Sequence, residues 1–172
     1  NRANIDAFKK LGVTDILSLS SVGSLNEDLS PGVFVVINQY VDFTKNRITT
    51  FFDNDIVVHV SMATPTDERL MEISRACLGK LDIKYNFGGS YICIDGPQFS
   101  TKKESRLFQK WGCDVIGMTS MPEAKLCREA SLSYGNIGMV TDVDCGHPDH
   151  ENVEVANVIS TLNGNAKDAQ GF

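Results

Sequence analysis

Apolar and polar positions alternate between helical and strand spacing along the chain, so the pattern predicts helices and strands in turn. Ile5, Phe8 and Leu11 recur at helical spacing, whereas residues 15–20 (DILSLS) form a short apolar run typical of a buried strand. Helices are predicted at 1–11, from Thr66 onward, from Thr101 to Trp111, at 122–133 and at 151–162, and strands at 15–20, 33–37, 85–94, 114–118 and 136–141.

Capping and turn residues mark several boundaries of these elements. Thr66 is expected to cap the helix that follows it, and Thr101 with Glu104 has the spacing of a capping box. Residues 20–24 are small and polar and are interpreted as a turn, while residues 38–65 give mixed signals.

The order of elements indicates an α/β fold with one domain over residues 1–172, in which helices flank a parallel or mixed central sheet. In such sheets, ligands bind beyond the carboxyl ends of the strands. The segments that follow predicted strands are therefore candidates for a binding site, namely 20–24, 95–100, 117–121 and 141–147.

The net charge indicates which classes of binding partner to expect, and the cysteines indicate the redox compartment. The net charge of −6 at pH 7 gives no electrostatic footprint for nucleic acid or an anionic membrane, although a small pocket can still bind an anion through backbone amides. No apolar run approaches a membrane span, and no signal peptide opens the sequence. The five cysteines are scattered singly, which favours reduced, buried thiols. We therefore expect a cytoplasmic protein that binds neither nucleic acid nor membrane.

Two carboxylates, Asp142 and Asp144, follow the strand predicted at 136–141. Extended backbone directs alternate side chains to the same side, so the pair indicates a shared proton or a metal site, or else a solvated acidic loop. His147 and His150 add metal-ligand residue types, but the spacing matches no recognised zinc pattern. We therefore expect no bound metal.

Three motifs give the sequence a family resemblance. Residues 96–101 (GPQFST), with Glu104 and Ser105 after them, are similar to the GPRFST-x-x-ES signature of trimeric purine nucleoside phosphorylases. Residues 111–119 (WGCDVIGMT) resemble the WGADVINMT segment of the same family. Residues 41–53 (VDFTKNRITTFFD) resemble the IDRT…R…TFFD stretch of its methylthioadenosine branch. The motifs occur in the family's order and spacing across nearly the whole chain.

The resemblance implies a purine nucleoside phosphorylase-like fold and phosphorolysis of 5'-methylthioadenosine in purine and methionine salvage. The expected products are adenine and 5-methylthioribose-1-phosphate, with inorganic phosphate as co-substrate, no further cofactor and a homotrimeric assembly. Asp142 matches the family's N7-binding aspartate and is expected to hold or share a proton as the base leaves. A carboxylate only accepts hydrogen bonds, so Asp144 is expected to accept from the N6 amine of adenine and to repel a 6-oxo group.

The same resemblance implies roles for further residues. Judged individually, the apolar residues among them are more typical of a hydrophobic core, Ser100 fits a helix cap, and His59 is more typical of a surface or core histidine. Only the register with the family assigns them to the site. The implied contacts are Phe99, Ser100, Val153, Val155 and Val158 with the base and methylthio group, Ser21, Val22 and Met118 with ribose and base, Ser20 and Thr119 with phosphate, and His59 with a neighbouring subunit's 5' pocket.

Several features depart from the family pattern. The family's glycine-rich phosphate loop and its arginine–histidine phosphate segment precede the part that residues 1–172 resemble, and residues 171–172 match the interior of its closing helix, so we expect an incomplete phosphorylase domain. Gly117 replaces asparagine and Gly146 an aromatic residue, which is expected to loosen the pocket, and Ser20 replaces threonine. The alternatives are a nucleosidase, a phosphorylase with another base preference, a catalytically dead nucleoside-binding subunit and a metal-dependent hydrolase.

Overall fold

The computed structural model describes residues 1–54, 56–145 and 155–170, with the backbone alone for residues 155–157. The helices are α1 (Arg2–Lys10), α2 (Glu68–Lys80), α3 (Lys102–Lys110), α4 (Glu123–Glu129) and α5 (Val155–Ala169). The strands are β1 (Asp15–Ser24), β2 (Phe34–Val36), β3 (Gln39–Asp42), β4 (Tyr85–Phe87), β5 (Ser90–Cys93), β6 (Val115–Gly117) and β7 (Ser133–Val143).

All these strands form one sheet with the order β3-β5-β6-β1-β7-β2-β4. The long strands β1 and β7 are parallel neighbours at its centre, while β6 runs antiparallel to β1 and β2 antiparallel to β7. The outer pairs β2–β4, β3–β5 and β5–β6 are parallel. The sheet is therefore mixed, and the predicted α/β fold with a central sheet is confirmed.

Helices cover both faces of the sheet because neighbouring strand residues point to opposite sides. Val35 packs in one cluster with α1 and α4, and the adjacent Val36 packs in another with α2 and α5. A third cluster lies under α3 and holds Ile92, Phe108 and Ile116. Layers on both faces bury the middle of β7, which allows polar groups near its end to lie in a sheltered pocket.

The strand β1 continues through residues 20–24, so the turn predicted there is wrong. Its pairing with β7 extends to Ser24 opposite Val143, with a register shift between Val22 and Gly23. Bonds to a long neighbouring strand override the turn preference of small residues, because strand formation depends on context more than on propensity. β7 is also longer than its predicted strand, and β3 lies in the stretch whose mixed signals gave no prediction.

The start of α2 differs from the prediction, whereas the start of α3 agrees with it. Asp67, not Thr66, caps α2, and its side chain accepts a hydrogen bond from the backbone N–H of Leu70. The capping box of α3 is confirmed, because Thr101 accepts from the N–H of Glu104 while the Glu104 carboxylate accepts from the N–H of Thr101. This cap fixes the chain direction just after the segment that carries the predicted base-binding residues.

The last two helices differ from their predicted ranges. α4 ends at Glu129, earlier than the predicted 133, and β7 begins at Ser133. α5 continues past the predicted end at 162 to Ala169, while its predicted start at 151–154 lies outside the described residues.

Candidate active site

A pocket of about 260 Å³ lies where β1, β6 and β7 meet the segment after β5. It is walled mostly by apolar side chains, and α5 closes one side. Its lining residues are Ser21, Val22, Gly23, Ile94, Phe99, Ser100, Ile116, Gly117, Met118, Thr119, Thr141, Asp142, Asp144 and Val158. The pocket therefore brings together most of the site residues that the sequence predicts, from five separate stretches of the chain.

Pairing of β1 with β7 and with β6 brings the pocket-lining residues of these strands together. β1 runs beside β7 with Gly23 opposite Asp142, and on its other side Gly23 pairs with Ile116 of β6. A Cβ atom at Gly23 would lie 3.1 Å from Oδ2 of Asp142 and 3.2 Å from Cγ2 of Ile116. The missing side chain at Gly23 therefore leaves room for the Asp142 carboxyl group over the sheet. Of the four segments expected to follow strands, 20–24 is in fact a strand end, and 117–121 and 141–147 each begin in one.

Asp142 and Asp144 both line the pocket, so they lie on one side as the strand alternation predicts. Burial raises the pKa of the Asp142 carboxyl group, and the nearby charge of Asp144 raises this pKa further. The hydroxyl of Thr141 donates to Oδ1 of Asp142 at 2.7 Å, which opposes that shift. The raised pKa favours the protonated form, as a general acid requires.

Asp144 is almost fully buried, with 3% of its surface exposed. The hydroxyl of Ser100 donates to its Oδ1 atom at 3.1 Å, and Ser100 also lies 2.8 Å from the hydroxyl of Ser105. The backbone N–H of Asp144 donates to the carbonyl of Ser24 at 2.9 Å. These contacts hold the Asp144 carboxylate in one orientation, with its acceptor atoms at the pocket wall.

Phe99 and Met118 form apolar walls of the pocket, and 53% of the Phe99 surface is exposed. Gly96, which has a positive φ of +68°, lies directly against Met118, because a Cβ at this glycine would be 2.3 Å from the Met118 sulfur. Close packing against the backbone therefore fixes the Met118 side chain.

Thr119 and Ser20, the residues assigned to phosphate, lie at different depths. Thr119 lines the pocket and donates to Oγ of Ser20 at 3.2 Å. Ser20 is 3% exposed and donates onward to Oδ1 of Asn136 at 3.3 Å. The Nδ2 group of Asn136 donates to Ser120. Ser20 thus lies behind Thr119 and is not among the pocket-lining residues, which differs from the direct contact expected for it.

The remaining predicted residues lie elsewhere or outside the described residues. His59 is exposed in the segment between β3 and α2 and does not line the pocket of this subunit. Val158 lines the pocket from α5, one turn after Val155, whose side chain is not described. Val153 lies in the undescribed segment 146–154.

Sequence reasoning missed several residues of this site. Thr141, Ile94, Ile116 and Gly23 line the pocket, and Tyr91 lies beneath it with its hydroxyl 3.5 Å from Oγ1 of Thr119. Gly23 and Thr141 lie within segments that the sequence singles out, and Ile94 and Ile116 border such segments, so strand pairing was the missing information. Alternation along β7 places Asp142 on one side of the strand, but it does not show which residues of the neighbouring strands lie beside it.

Two structural tests bear on metal and membrane binding. Within residues 1–54, 56–145 and 155–170, no group of three or more His, Cys, Asp or Glu side chains is placed to hold a metal ion. His147 and His150, considered as metal ligands, lie outside these ranges. Among the helices of the same ranges, none is long and apolar enough to cross a membrane.

Comparison with known sequences gives close relatives. S-methyl-5'-thioadenosine phosphorylase of Rhodospirillum rubrum is 53% identical over 171 residues, which cover 99% of this chain and 58% of that protein. The S-methyl-5'-thioadenosine phosphorylase of Cereibacter sphaeroides is 48% identical over 99% of this chain and 59% of its own length. The chain thus spans slightly less than three fifths of these relatives.

Solved structures confirm the purine nucleoside phosphorylase-like fold. A methylthioadenosine phosphorylase from an antarctic soil metagenomic library superposes with a TM-score of 0.93 at 46% identity, over 99% of this chain and 60% of its own. Methylthioadenosine phosphorylase from Schistosoma mansoni in complex with adenine gives a TM-score of 0.94 at 36% identity, over 99% and 67%. The family model described as the phosphorylase superfamily matches residues 1–172, and the chain belongs to that superfamily.

Proposed function

We propose that the protein to which this chain belongs cleaves 5'-methylthioadenosine with inorganic phosphate, giving adenine and 5-methylthioribose-1-phosphate. The observation that carries the proposal is the convergence of Asp142, Asp144, Phe99, Met118 and Thr119 on one apolar pocket. Relatives named S-methyl-5'-thioadenosine phosphorylase match 99% of the chain at 48–53% identity, which supports the same substrate here.

Adenine recognition is assigned to the buried carboxylate of Asp144. Its acceptor oxygens suit the N6 amine, and the hydroxyl of Ser100 donates to the same carboxylate at 3.1 Å, near the N1/N6 edge of the base. A 6-oxopurine would bring a second acceptor against Asp144 without a proton between them. An unpaired buried acceptor is costly, so this arrangement favours adenine. Phe99 supplies an apolar surface for the ring.

Leaving-group protonation is assigned to Asp142. As the bond between C1' and N9 breaks, its electron pair moves into the purine, and protonated Asp142 donates to N7. An oxygen of phosphate then forms the new bond to C1', so the sugar leaves as its 1-phosphate. Burial raises the pKa of Asp142 and so favours the protonated form of the carboxyl group, which supports this role.

Phosphate and ribose contacts are assigned to the end of β6. Thr119 lines the pocket, and we assign its hydroxyl hydrogen, which is donated to Ser20 in the structure, to a phosphate oxygen once the anion binds. Ser20 is assigned an indirect part through Thr119. Met118 covers the ribose and offers its backbone N–H to the 2'-hydroxyl, while Ser21 and Val22 border ribose and base from β1. Phosphate is the only co-substrate that this scheme needs.

A homotrimer is part of the proposal, with the 5' pocket completed by a neighbouring subunit. Val158 lines the pocket near the position proposed for the methylthio group. Val155 precedes it by one turn of α5 and is assigned to the same group by the family resemblance. Ile56 and Val57 are 62% and 78% exposed, and adjacent exposed apolar residues are typical of contact surfaces. This segment carries His59, which we assign to the neighbour's 5' pocket.

The cellular role proposed is purine and methionine salvage in the cytoplasm. The cysteines at 77, 93, 113, 127 and 145 are free thiols, and three of them are buried, which supports a reducing compartment.

The proposal is tested by measuring adenine release from 5'-methylthioadenosine with and without phosphate, on the full-length protein. Release that depends on phosphate and yields the sugar 1-phosphate supports the phosphorylase. Release that is independent of phosphate makes the protein a nucleosidase. Adenine binding without any release indicates a catalytically dead nucleoside-binding subunit. The molar mass in solution, measured on the same sample, tests the trimer.

A further inference from the structure

The peptide unit between Met118 and Thr119 is held at both of its polar ends. Its carbonyl oxygen, on Met118, accepts a hydrogen bond from Nη1 of Arg47 at 2.7 Å. Its N–H, on Thr119, donates to the hydroxyl oxygen of Tyr91 at 3.3 Å. Tyr91 is fully buried, and only 20% of the Arg47 side chain is exposed. Two sheltered side chains therefore fix the plane of one peptide in the pocket wall.

Arg47 also ties two separate segments of the wall together. Besides Met118 it donates to the carbonyl of Met121, and on the other segment to the carbonyls of Ile94 at 3.1 Å and Asp95 at 3.0 Å. Its Nε group pairs with the Asp95 carboxylate at 3.1 Å. A guanidinium group carries five donors in a planar fork, so it suits several carbonyls at once in a way that a lysine does not.

Tyr91 occupies space that exists only because residue 117 is glycine. A Cβ at Gly117 would lie 2.1 Å from the Tyr91 hydroxyl oxygen and 2.7 Å from the ring carbon that bears it. Backbone conformation does not demand glycine here, since Gly117 is absent from the residues with positive φ. Contact with the tyrosine is thus the physical reason for the glycine.

The hydroxyl groups around Thr119 have one consistent order of donation. Thr119 donates its hydroxyl hydrogen to Ser20 at 3.2 Å. The tyrosine oxygen accepts from the Thr119 N–H. Its hydroxyl lies 3.5 Å from Oγ1 of Thr119, and because Thr119 donates to Ser20, we take Tyr91 as the donor of this pair. Burial raises the pKa of Tyr91, so it stays neutral and keeps the proton that this order requires. Tyr91 therefore contacts both the backbone and the side chain of Thr119.

We propose that Arg47 and Tyr91 are positioning residues that jointly orient the Met118–Thr119 peptide, so that the Thr119 hydroxyl is aimed at the phosphate site. The proposal rests on the proposed function, which assigns phosphate to Thr119. Neither residue contacts substrate. Arg47 sets the separation of the segments that carry Phe99 and Met118. Tyr91 sets the rotation of the Met118–Thr119 peptide.

Tyr91→Phe in the full-length protein is the decisive variant, because it keeps the ring next to Gly117 and removes only the hydroxyl. We expect KM for phosphate to rise about 5- to 10-fold, as for a lost hydrogen bond, with KM for the nucleoside unchanged. Tyr134→Phe is the matched control. That buried hydroxyl donates to Glu123 at 2.9 Å and does not line the pocket, so both KM values are expected to stay the same.

Arg47→Lys and the double variant with Tyr91→Phe test the joint action. Arg47→Lys is expected to lower kcat and to raise both KM values, because both wall segments lose their tie. The double variant should lose less kcat/KM for phosphate than the product of the single losses, since both side chains hold one peptide. Thermal unfolding of each variant identifies a folding defect, and if Arg47→Lys does not fold, Tyr91→Phe alone decides.

The outcomes separate the two proposals. Phosphate-dependent turnover by the wild type, with an unchanged KM for phosphate in Tyr91→Phe, overturns the positioning role and leaves the proposed function intact. Losses that multiply in the double variant refute the shared action on one peptide. If turnover by the wild type does not depend on phosphate, the proposed function is overturned. The role of Tyr91 in orienting Thr119 towards phosphate is then overturned as well.

Discussion

Replacing Asp144 by asparagine changes one acceptor atom of the pocket into a donor while keeping the size of the side chain. The hydroxyl of Ser100 donates to Oδ1 of Asp144 at 3.1 Å, and its distance to Oδ2 is 3.4 Å. The oxygen of the new amide accepts the Ser100 bond, which directs the new NH₂ group towards the base. The N6 amine of adenine then meets a donor, and the 6-oxo group of hypoxanthine gains one.

The magnitude follows from the burial of this carboxylate, which is 3% exposed. A hydrogen bond to a charged acceptor contributes about 1.5–3 kcal/mol, and Asp144→Asn removes this bond for adenine while supplying a weaker neutral bond for hypoxanthine. A combined change of about 3 kcal/mol corresponds to a shift of about 100-fold in the ratio of the two kcat/KM values. We therefore expect hypoxanthine nucleosides to become competitive substrates.

The assay measures kcat/KM for 5'-methylthioadenosine and 5'-methylthioinosine with saturating phosphate. Asp142→Asn is the matched control, because it makes the same chemical change two residues away in the same pocket. It is expected to lower kcat for both nucleosides while the adenine preference stays. Our assignment of Asp144 is wrong if Asp144→Asn is folded and active but retains the full adenine preference, or if both variants change the preference equally.

Three further changes probe the pocket and its support. Burial raises the pKa of Asp142, and only the protonated form donates to N7, so kcat should be constant at low pH and fall as pH rises through that pKa. Asp142→Asn should abolish this fall in the pH profile. A fall that is unchanged in the variant refutes the assignment. Gly23→Ala places a methyl group 3.1 Å from Oδ2 of Asp142. We therefore expect kcat/KM to fall about tenfold with little change in melting temperature. A variant with wild-type kinetics would show that the carboxylate moves freely. Thr101→Ala removes the cap of α3 and should lower the free energy of unfolding by about 1 kcal/mol in urea titration, with Lys103→Ala on the exposed surface as control.

Local signals in the sequence predict those parts of the fold and pocket that lie within one element. The spacing of Asp142 and Asp144 is enough to place both on one side, because alternation within a strand is a local property. The capping box at Thr101 is likewise local, and it is confirmed. By contrast, the end of β1 looks like a turn because its residues are small, and at Gly23 the Asp142 carboxyl group leaves little room for a side chain. Pairing with β7 keeps it a strand, and that partner lies over a hundred residues away.

The sequence does not show how deeply a side chain is buried relative to the pocket. Ser20 and Thr119 have the same hydroxyl chemistry, and the family register assigns both to phosphate. In the fold, Thr119 lies at the wall, and Ser20, which is 3% exposed, accepts the Thr119 hydrogen bond from behind it. Only the three-dimensional structure shows which of the two hydroxyls lines the pocket.

The role of Gly117 depends on Tyr91, which is distant in the sequence but adjacent in the fold. The glycine replaces the family's asparagine, and the sequence alone predicts a looser pocket. In the structure the space is filled, because the Tyr91 hydroxyl lies 2.1 Å from where a Cβ would be. Gly117→Ala should therefore displace Tyr91 and raise KM for phosphate, and a second change of Tyr91 to leucine should relieve the clash without restoring that KM. This pattern separates the space that Tyr91 fills from the hydrogen bonds that it makes, because only the bonds reach Thr119.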